Sequence, residues 1–263
     1  MQKTILITGA TDGIGFQTAT KLAKEGDRVL IHGRNAKKLA TTQKSLEALV
    51  GEKNIQSYLA DLSNLEEVKT LAKTIMQNQK HIDVLINNAG IYKTPSPITK
   101  DKLDIRFVVN TIAPYLLTKE LLPLLDKTSR VVNLSSAAQA PVGLDALQGK
   151  VVLSDSEAYA QSKLALTMWS NYLAHNSDIG VVVAINPASF LGSKMVKEAY
   201  SMSGKPLSIG ADILTRASLS DAFATANGKY FDNDIRAFAS PHPDALDMQK
   251  CKRVVDVIEE IYS

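Results

Sequence analysis

The sequence has few of the residues that bind metals or form disulfides. It contains one cysteine, Cys251, and four histidines scattered along 263 residues. A single cysteine excludes an internal disulfide and is typical of a reducing compartment. No histidine lies at a recognised spacing from a second ligand, so the sequence predicts no metal site.

Long uncharged apolar runs and a strong net charge are also absent from the sequence. The apolar start MQKTILITGA is too short for a signal peptide, and no later run is long enough for a membrane span. Lysine and arginine number 30 against 27 acidic residues, which leaves a net charge of +3. This near balance does not favour nucleic-acid binding. We therefore expect a soluble, cytoplasmic protein with no nucleic-acid partner and no membrane span.

Short β-rich apolar runs alternate with longer amphipathic stretches, and nearly continuous apolar runs are typical of parallel strands covered on both faces. The predicted strands are 4–8, 28–32, 55–60, 83–88, 130–135 and 180–186. The alternation predicts an α/β fold, a single doubly wound parallel sheet with helices on both faces, as one domain over residues 1–263. Residues from about 187 to 225 are predicted to form a substrate lid, with ordinary surface loop as the alternative.

A glycine-rich turn, TGATDGIG at residues 8–15, separates the first predicted strand from the first predicted helix. Gly9 allows a tight turn. Gly13 and Gly15 remove side chains where a phosphate approaches the backbone and where the helix packs on the sheet. The helix N-terminus offers N–H groups and a positive dipole end to that anion. The turn predicts a dinucleotide site, with an ordinary glycine-rich turn as the alternative.

The end of the second predicted strand favours NADP(H) over NAD(H). An NAD site usually has a carboxylate about 20 residues after the glycines, where it binds the ribose 2′-hydroxyl. Gly33 stands at that position, and Arg34 follows at once. A guanidinium suits a 2′-phosphate, and Lys37 and Lys38 add positive charge nearby. The alternative is that Arg34 is a solvated surface residue.

Tyr159 and Lys163 lie four residues apart in a predicted helix and therefore share one face. A phenol with a reference pKa near ~10 is a weak acid, and a neighbouring ammonium favours its ionised form. The pair can exchange a proton with a carbonyl or alcohol oxygen while hydride moves to or from a nicotinamide. The spacing alone is common on helix surfaces, and its meaning depends on the glycine turn upstream.

Three stretches in this order resemble the signatures of the short-chain dehydrogenase/reductase family: TGATDGIG at 8–15, NNAG at 87–90 and YAQSK at 159–163. The alternating pattern extends the resemblance from residue 4 to about 235, and it implies that the chain is a single NAD(P)-binding domain over residues 1–263 with a Rossmann fold. It implies a catalytic set of Asn110, Ser136, Tyr159 and Lys163, with Ser135 as the alternative serine. In that set Asn110 would hold a water that links Lys163 to solvent.

The resemblance also implies a set of cofactor-binding residues. Asp61 and Leu62 would flank the adenine, and Asn87 and Gly90 would shape the floor near the adenosine ribose. The full predicted set is Gly9, Thr11, Asp12, Gly13, Ile14, Gly15, Arg34, Asn35, Asp61, Leu62, Asn87, Ala89, Gly90, Tyr159, Lys163, Pro187 and Ser189.

Two features depart from the commonest pattern of the family. The usual Pro-Gly after the sixth strand is Pro187-Ala188 here, and Ala188 does not easily adopt a positive φ. The usual threonine a few residues later is absent, although Ser193 could replace its hydroxyl. The segment from about 137 to 158 is longer than in the shortest members, and we expect it to form one wall of the substrate site. This insertion and GKYF at 228–231 resemble the retinol-dehydrogenase-like branch, which includes enzymes of lipophilic carbonyls and alcohols.

The predicted function is an NADP(H)-dependent carbonyl reductase or alcohol dehydrogenase that acts on a small-molecule substrate. The main alternative is a non-catalytic dinucleotide-binding regulator or scaffold, which would have no need of the four catalytic residues together. An epimerase or dehydratase is a third possibility, but it usually has a larger C-terminal substrate domain. The family commonly forms dimers or tetramers through two long helices, here near 103–125 and 157–176, so a homo-oligomer is expected.

Overall fold

The computed structural model describes residues 2–200 and 203–263. Within these residues eight strands form one sheet in the order β3-β2-β1-β4-β5-β6-β7-β8. The strands are β1 (Thr4–Ile7), β2 (Arg28–Gly33), β3 (Ile55–Leu59), β4 (Val84–Asn87), β5 (Arg130–Leu134), β6 (Val181–Asn186), β7 (Tyr230–Asp232) and β8 (Ala237–Ala239). Neighbouring strands run parallel except β7 and β8, which pair antiparallel at the edge.

Helices follow the strands along the chain and cover both faces of the sheet. They are α1 (Gly13–Lys24), α2 (Ala36–Val50), α3 (Leu65–Asn78), α4 (Ile105–Phe107), α5 (Ala113–Glu120), α6 (Leu144–Leu147), α7 (Asp155–His175), α8 (Lys194–Tyr200), α9 (Ser208–Leu219) and α10 (Met248–Tyr262). Part of the predicted lid, residues 201–202, lies outside the described residues. The rest of that segment contains α8 and α9, so it is more helical than a plain loop.

Alternate residues of the central strands face two separate apolar cores. In β1, Leu6 belongs to a core shared with α3, α5, α7 and α10, whereas Ile5 and Ile7 belong to a core shared with α1, α2 and α9. Because successive side chains of a strand point to opposite faces, a strand buried on both faces is apolar throughout. The predicted doubly wound α/β fold is therefore confirmed.

The strand order reverses next to β1, which lies between β2 and β4. The connection after β1 leads to β2 on one side of β1. The connection after β3 crosses back to β4, which lies on the other side of β1. The two loops separate at this point and leave a crevice at the carboxyl ends of the strands. The glycine-rich turn follows β1 and therefore lies at this crevice.

The long helix predicted near residues 103–125 is interrupted. The short helix α4 continues into a π-helical turn at 108–112 before α5 begins, and the N–H of Ala113 donates to the carbonyl of Val108. Pro114 has no N–H to donate to the carbonyl of Asn110, four residues earlier. Such a turn accommodates one extra residue in the helix and is often found at functional sites.

A buried arginine fixes the start of the helix that contains Tyr159. Arg106 is 1% exposed, and its guanidinium donates to Asp104 at 2.8 and 2.6 Å and also to Asp155. Ser154 caps α7 in a capping box with Glu157. These contacts fix the position and entry angle of α7 relative to α4.

The C-terminal helix α10 packs against α7 and α5 of the same chain. Tyr115 donates to Glu259 at 2.6 Å, and its ring meets Trp169 edge-on with centroids 5.5 Å apart. Buried Cys251 lies in the same core. The predicted oligomer through the helices near 103–125 and 157–176 stays a prediction. Across residues 2–200 and 203–263, no helix is both long enough and apolar enough for a transmembrane segment.

Candidate active site

A cavity of about 730 Å³ opens at the carboxyl ends of the strands and runs from the glycine-rich turn to the loop after β6. It brings together most of the predicted cofactor-binding and catalytic residues. Those that line it are Gly9, Thr11, Asp12, Gly13, Ile14, Gly15, Arg34, Asn35, Asp61, Leu62, Ala89, Gly90, Ser136, Tyr159, Lys163, Pro187 and Ser189. Asn87 and Asn110 are absent from the lining.

The glycine-rich turn is shaped for close approach of a ligand to the backbone. Gly9 and Gly13 have positive φ values of 66° and 58°. Apart from its neighbours in the chain and the backbone of α1, no atom of the described residues lies within 4 Å of the position a Cβ of Gly13 would take, whereas a Cβ at Gly15 would overlap the carbonyl of Gly9. Asp12 caps α1 by accepting from the N–H of Gly13. The turn thus leaves open space at Gly13 and requires close packing at Gly15, which fits an anion at the N-terminus of α1.

His32 holds the turn to the end of β3, a role that the sequence analysis missed. Its Nδ1 accepts from the N–H of Gly9 at 3.2 Å, and its Nε2 lies 3.0 Å from the carbonyl of Ala60. Burial lowers the pKa of His32 to about 4, so the ring is neutral at physiological pH. A neutral ring with its proton on Nε2 satisfies both bonds. Its position just before Gly33 was the only signal in the sequence.

The end of the cavity that lies beside the carboxyl end of β2 carries positive charge, and there is little free space next to Gly33. Arg34 and Lys38 both line the cavity and are exposed. A Cβ at Gly33 would overlap Cγ2 of Thr11 and lie 3.4 Å from Oγ1 of the same residue. Asn35 caps α2 by accepting from the N–H of Lys38. An acidic side chain at position 33 therefore meets the methyl group of Thr11.

Asp61 and Leu62 lie where the chain leaves β3. The carboxylate of Asp61 accepts from the N–H and the hydroxyl of Ser63 at 2.9 and 2.8 Å. Leu62 is 4% exposed. Their position beside the Ala60 carbonyl places them at the same end of the cavity as Arg34.

Lys163 and Tyr159 line the opposite part of the cavity. Nζ of Lys163 donates to the carbonyl of Leu134 at 2.7 Å and lies 5.8 Å from the centroid of the Tyr159 ring. Burial lowers the pKa of Lys163 to about 8. Tyr92 stacks edge-on against Tyr159 with centroids 4.9 Å apart. No motif in the sequence identified Tyr92, because the contact joins two distant segments.

The two serines after β5 have different surroundings. Ser135 is 3% exposed, and its hydroxyl lies 2.7 Å from Thr167 Oγ1 and 3.3 Å from the carbonyl of Lys163. Ser136 is partly exposed, and its hydroxyl accepts from the N–H of Ala138. This acceptor bond leaves the proton of the Ser136 hydroxyl available to another partner.

Asn110 and Asn87 make buried contacts behind the cavity wall. The amide of Asn110 accepts from the N–H of Ile91 at 2.8 Å and donates to the Ile91 carbonyl and to Ser162. Asn87 donates to Asn133 at 2.8 Å and to Thr118. The side chain at the turn itself is that of Asn88, whose amide donates to the carbonyl of Gly9 at 3.1 Å.

The loop after β6 has an unusual backbone. Ala188, where the family pattern has glycine, adopts a φ of 108°, and Phe190 adopts a φ of 56°. Positive φ is costly for a residue with a Cβ, so the surrounding contacts must hold this conformation. Ser193, named above as a possible hydroxyl donor, also lines the cavity.

Comparison with known proteins identifies the family of this chain. The family model described as short chain dehydrogenase matches residues 3–204. The chain therefore belongs to the short-chain dehydrogenase family of oxidoreductases. Retinol dehydrogenase 13 of Mus musculus is 30% identical over 96% of this chain and 81% of its own. Polyprenol dehydrogenase of Homo sapiens is 33% identical over 64% of this chain and 53% of its own.

Solved structures show the same fold. A protein from Mycobacterium paratuberculosis superposes with a TM-score of 0.81 at 26% identity, over 99% of this chain and 93% of its own. A short-chain dehydrogenase from Escherichia coli CFT073 in complex with NADPH superposes with a TM-score of 0.71 at 26% identity, over 88% of this chain and 96% of its own. The family membership that the three sequence signatures predict is therefore confirmed.

Proposed function

We propose that the protein is an NADP(H)-dependent oxidoreductase that interconverts a carbonyl compound and an alcohol, with Tyr159 as general acid/base. One observation supports this most strongly. The phenol of Tyr159, buried Lys163 and the glycine-rich turn line one continuous cavity. A site for proton transfer thus lies in the same space as a site suited to a dinucleotide.

The proposed preference for NADP(H) rests on charge and space at the end of β2. Arg34 and Lys38 offer cations to a 2′-phosphate. The carboxylate that would bind a 2′-hydroxyl is absent at Gly33, and the Thr11 methyl group occupies the space that the Cβ of such a residue would need. Two structural neighbours, at 27% and 26% identity, are complexes with NADP and NADPH.

The nicotinamide would supply or accept the hydride, and the chain would handle the proton. Tyr159 would donate a proton to the carbonyl oxygen during reduction and remove it during oxidation. Lys163 in its charged form would favour the phenolate. The free proton of Ser136 would bond the substrate oxygen and fix its orientation. Asn110 bonds to Ile91, which lines the cavity. As the family resemblance implies, Asn110 would also hold a water that links Lys163 to solvent.

The proposed substrate class is a lipophilic carbonyl or alcohol. Phe190 and Leu191 in the loop after β6, together with Met195 and Val196 at the start of α8, give the cavity an apolar wall, and Tyr92 lines the same cavity. This wall lies in the proposed lid, residues 187–225. Relatives named for retinol and polyprenol agree with an apolar substrate.

The test is NADPH consumption by purified protein with a panel of ketones, aldehydes and quinones, run beside NADH and beside Tyr159→Phe. Turnover that prefers NADPH and is lost in Tyr159→Phe supports the proposal. Tight NADPH binding with no turnover on any compound would contradict it and favour a non-catalytic regulator. Chemical change of a substrate without net NADPH consumption would favour an epimerase or dehydratase.

A further inference from the structure

The loop after β6 is held in its left-handed conformation by an acidic side chain from the antiparallel edge of the sheet. Asp234 lies in the turn between β7 and β8. Its two carboxylate oxygens accept from the N–H of Ser189 at 3.0 and 3.1 Å and from the Ser189 hydroxyl at 2.5 Å. These bonds fix the residue that directly follows Ala188, whose φ is 108°.

Two further donors complete the surroundings of this carboxylate. The buried amide of Asn186 donates to Asp234 at 3.0 Å and to Asp232 at 2.8 Å. Lys205 lies 3.5 Å from the same carboxylate, and its N–H donates to the carbonyl of Phe190 at 2.7 Å. Asp234 and Lys205 therefore hold the chain on both sides of Ala188, at Asn186 before it and at Phe190 after it.

The carboxylate is also charged in this setting. Burial works to raise the pKa of Asp234, but the bonds from Ser189 and Asn186 outweigh it and lower the pKa below its ordinary value. An ionised acceptor makes stronger hydrogen bonds than a neutral one. The amide of an asparagine at this position could not accept all of these donors, because its nitrogen is itself a donor.

We propose that Asp234 is a positioning residue that holds the strained Ala188 loop against the nicotinamide end of the cofactor. This inference rests on the proposed function, because it takes the cofactor to end beside Tyr159. A glycine, the residue that the commonest family pattern has at this position, would adopt a positive φ at little cost, whereas here an alanine adopts it next to the contacts of a carboxylate. The loop lines the cavity at Pro187 and Ser189, so a change in its conformation alters the cavity wall.

The test compares the affinity of Asp234→Asn for two ligands, measured by calorimetry. NADPH occupies both ends of the cavity, whereas adenosine 2′,5′-bisphosphate occupies only the end near Arg34. We expect the Kd of NADPH to rise about tenfold, since charge-assisted bonds to the loop are lost. The Kd of the bisphosphate should stay within about twofold, because its site is remote from the loop.

Two comparisons separate loop positioning from a general loss of structure. Asp256→Asn removes a half-buried carboxylate that is paired with Lys252 on α10, and it should leave both affinities unchanged. In an Ala188→Gly background, Asp234→Asn should weaken NADPH only about threefold, since glycine adopts positive φ without the carboxylate. If Asp234→Asn alone does not fold, the two NADPH affinities are compared in the Ala188→Gly background instead, with and without Asp234→Asn.

An unchanged NADPH affinity in Asp234→Asn would overturn the inference. Equal weakening of both ligands would overturn it too, because it would show a general structural role. The same loss with either alanine or glycine at position 188 would contradict the link to backbone strain. Wild-type protein that binds neither ligand would instead refute the proposed function, and this inference with it.

Discussion

The steric conflict between position 33 and Thr11 can be tested by separating size from charge. Gly33→Ala adds only a Cβ, and Gly33→Asp adds the carboxylate of an NAD site. Thr11→Ser removes the one atom, Cγ2, that a Cβ at residue 33 would overlap, and it keeps the hydroxyl oxygen at 3.4 Å. The three changes and their combinations form two double-mutant cycles.

The expected magnitudes follow from the packing. Overfilling a packed site costs about 1–3 kcal/mol, so Gly33→Ala should lower the free energy of unfolding by about that amount. In the Thr11→Ser background the same change should cost less than about 0.5 kcal/mol, because ordinary contact remains. A well-placed carboxylate bond to a ribose hydroxyl contributes about 1.5–3 kcal/mol, or at least about tenfold in affinity for NADH.

Urea unfolding measures the stability changes, and calorimetric titration measures the affinities for NADPH and NADH. We expect Gly33→Asp to weaken NADPH without a gain in NADH binding, and the double variant Gly33→Asp with Thr11→Ser to bind NADH about tenfold more tightly than Gly33→Asp alone does. Full stability of Gly33→Ala would refute the steric reasoning. An equal gain in NADH binding with either threonine or serine at position 11 would refute the role of the methyl group.

The remaining predictions concern the catalytic end of the cavity. Tyr159→Phe should lower kcat at least about 100-fold while NADPH affinity by calorimetry changes little, since only the proton donor is lost; an active variant would exclude Tyr159 as the acid. Ser136→Ala should lower kcat, whereas Ser135→Ala should lower the melting temperature and spare kcat, because Ser135 bonds within the core; the reverse pattern would exchange their roles. Burial lowers the pKa of Lys163 from 10.5 to about 8, so its charged form destabilises the cofactor-free fold by roughly 3 kcal/mol at neutral pH. Its folded-state pKa lies below the unfolded one, so stability should rise with pH between about 8 and 10.5. Urea titrations should show that rise in wild type and not in Lys163→Met, which should be the more stable protein at neutral pH; a rise of the same size in Lys163→Met would contradict this assignment.

The strands were predictable because the sheet is covered on both faces. Each of the six predicted runs corresponds to an observed parallel strand, and no predicted end differs from the observed end by more than one residue. The last two strands, β7 and the edge strand β8, were not predicted, since each has three residues and β8 is largely exposed. The interruption of the helix around Asn110 was also missed, although Pro114 in the middle of the stretch gave a signal.

The site was predictable where its residues stand in local patterns, and not where contacts join distant segments. The glycine turn, Arg34 and the Tyr159–Lys163 pair each follow from spacing within one strand–helix unit. His32, Tyr92 and Asp234 act through partners 23 to 67 residues away along the chain. Such contacts depend on the sheet order, which no short motif encodes. The cytoplasmic location remains a prediction.

The π-helical turn at 108–112 also determines where the gene can change in length. The turn holds one more residue than an α-helix would use for the same advance. Deletion of one residue within the turn would therefore leave an ordinary α-helical turn, and it would keep Tyr115 against both Trp169 and Glu259. Deletion of one residue in the middle of α5 has no such reserve and would rotate the residues after it by about 100°, the angle between successive residues of a helix. Single-codon deletions should therefore be tolerated better at 108–112 than further along α5, although both belong to the same stretch of helix.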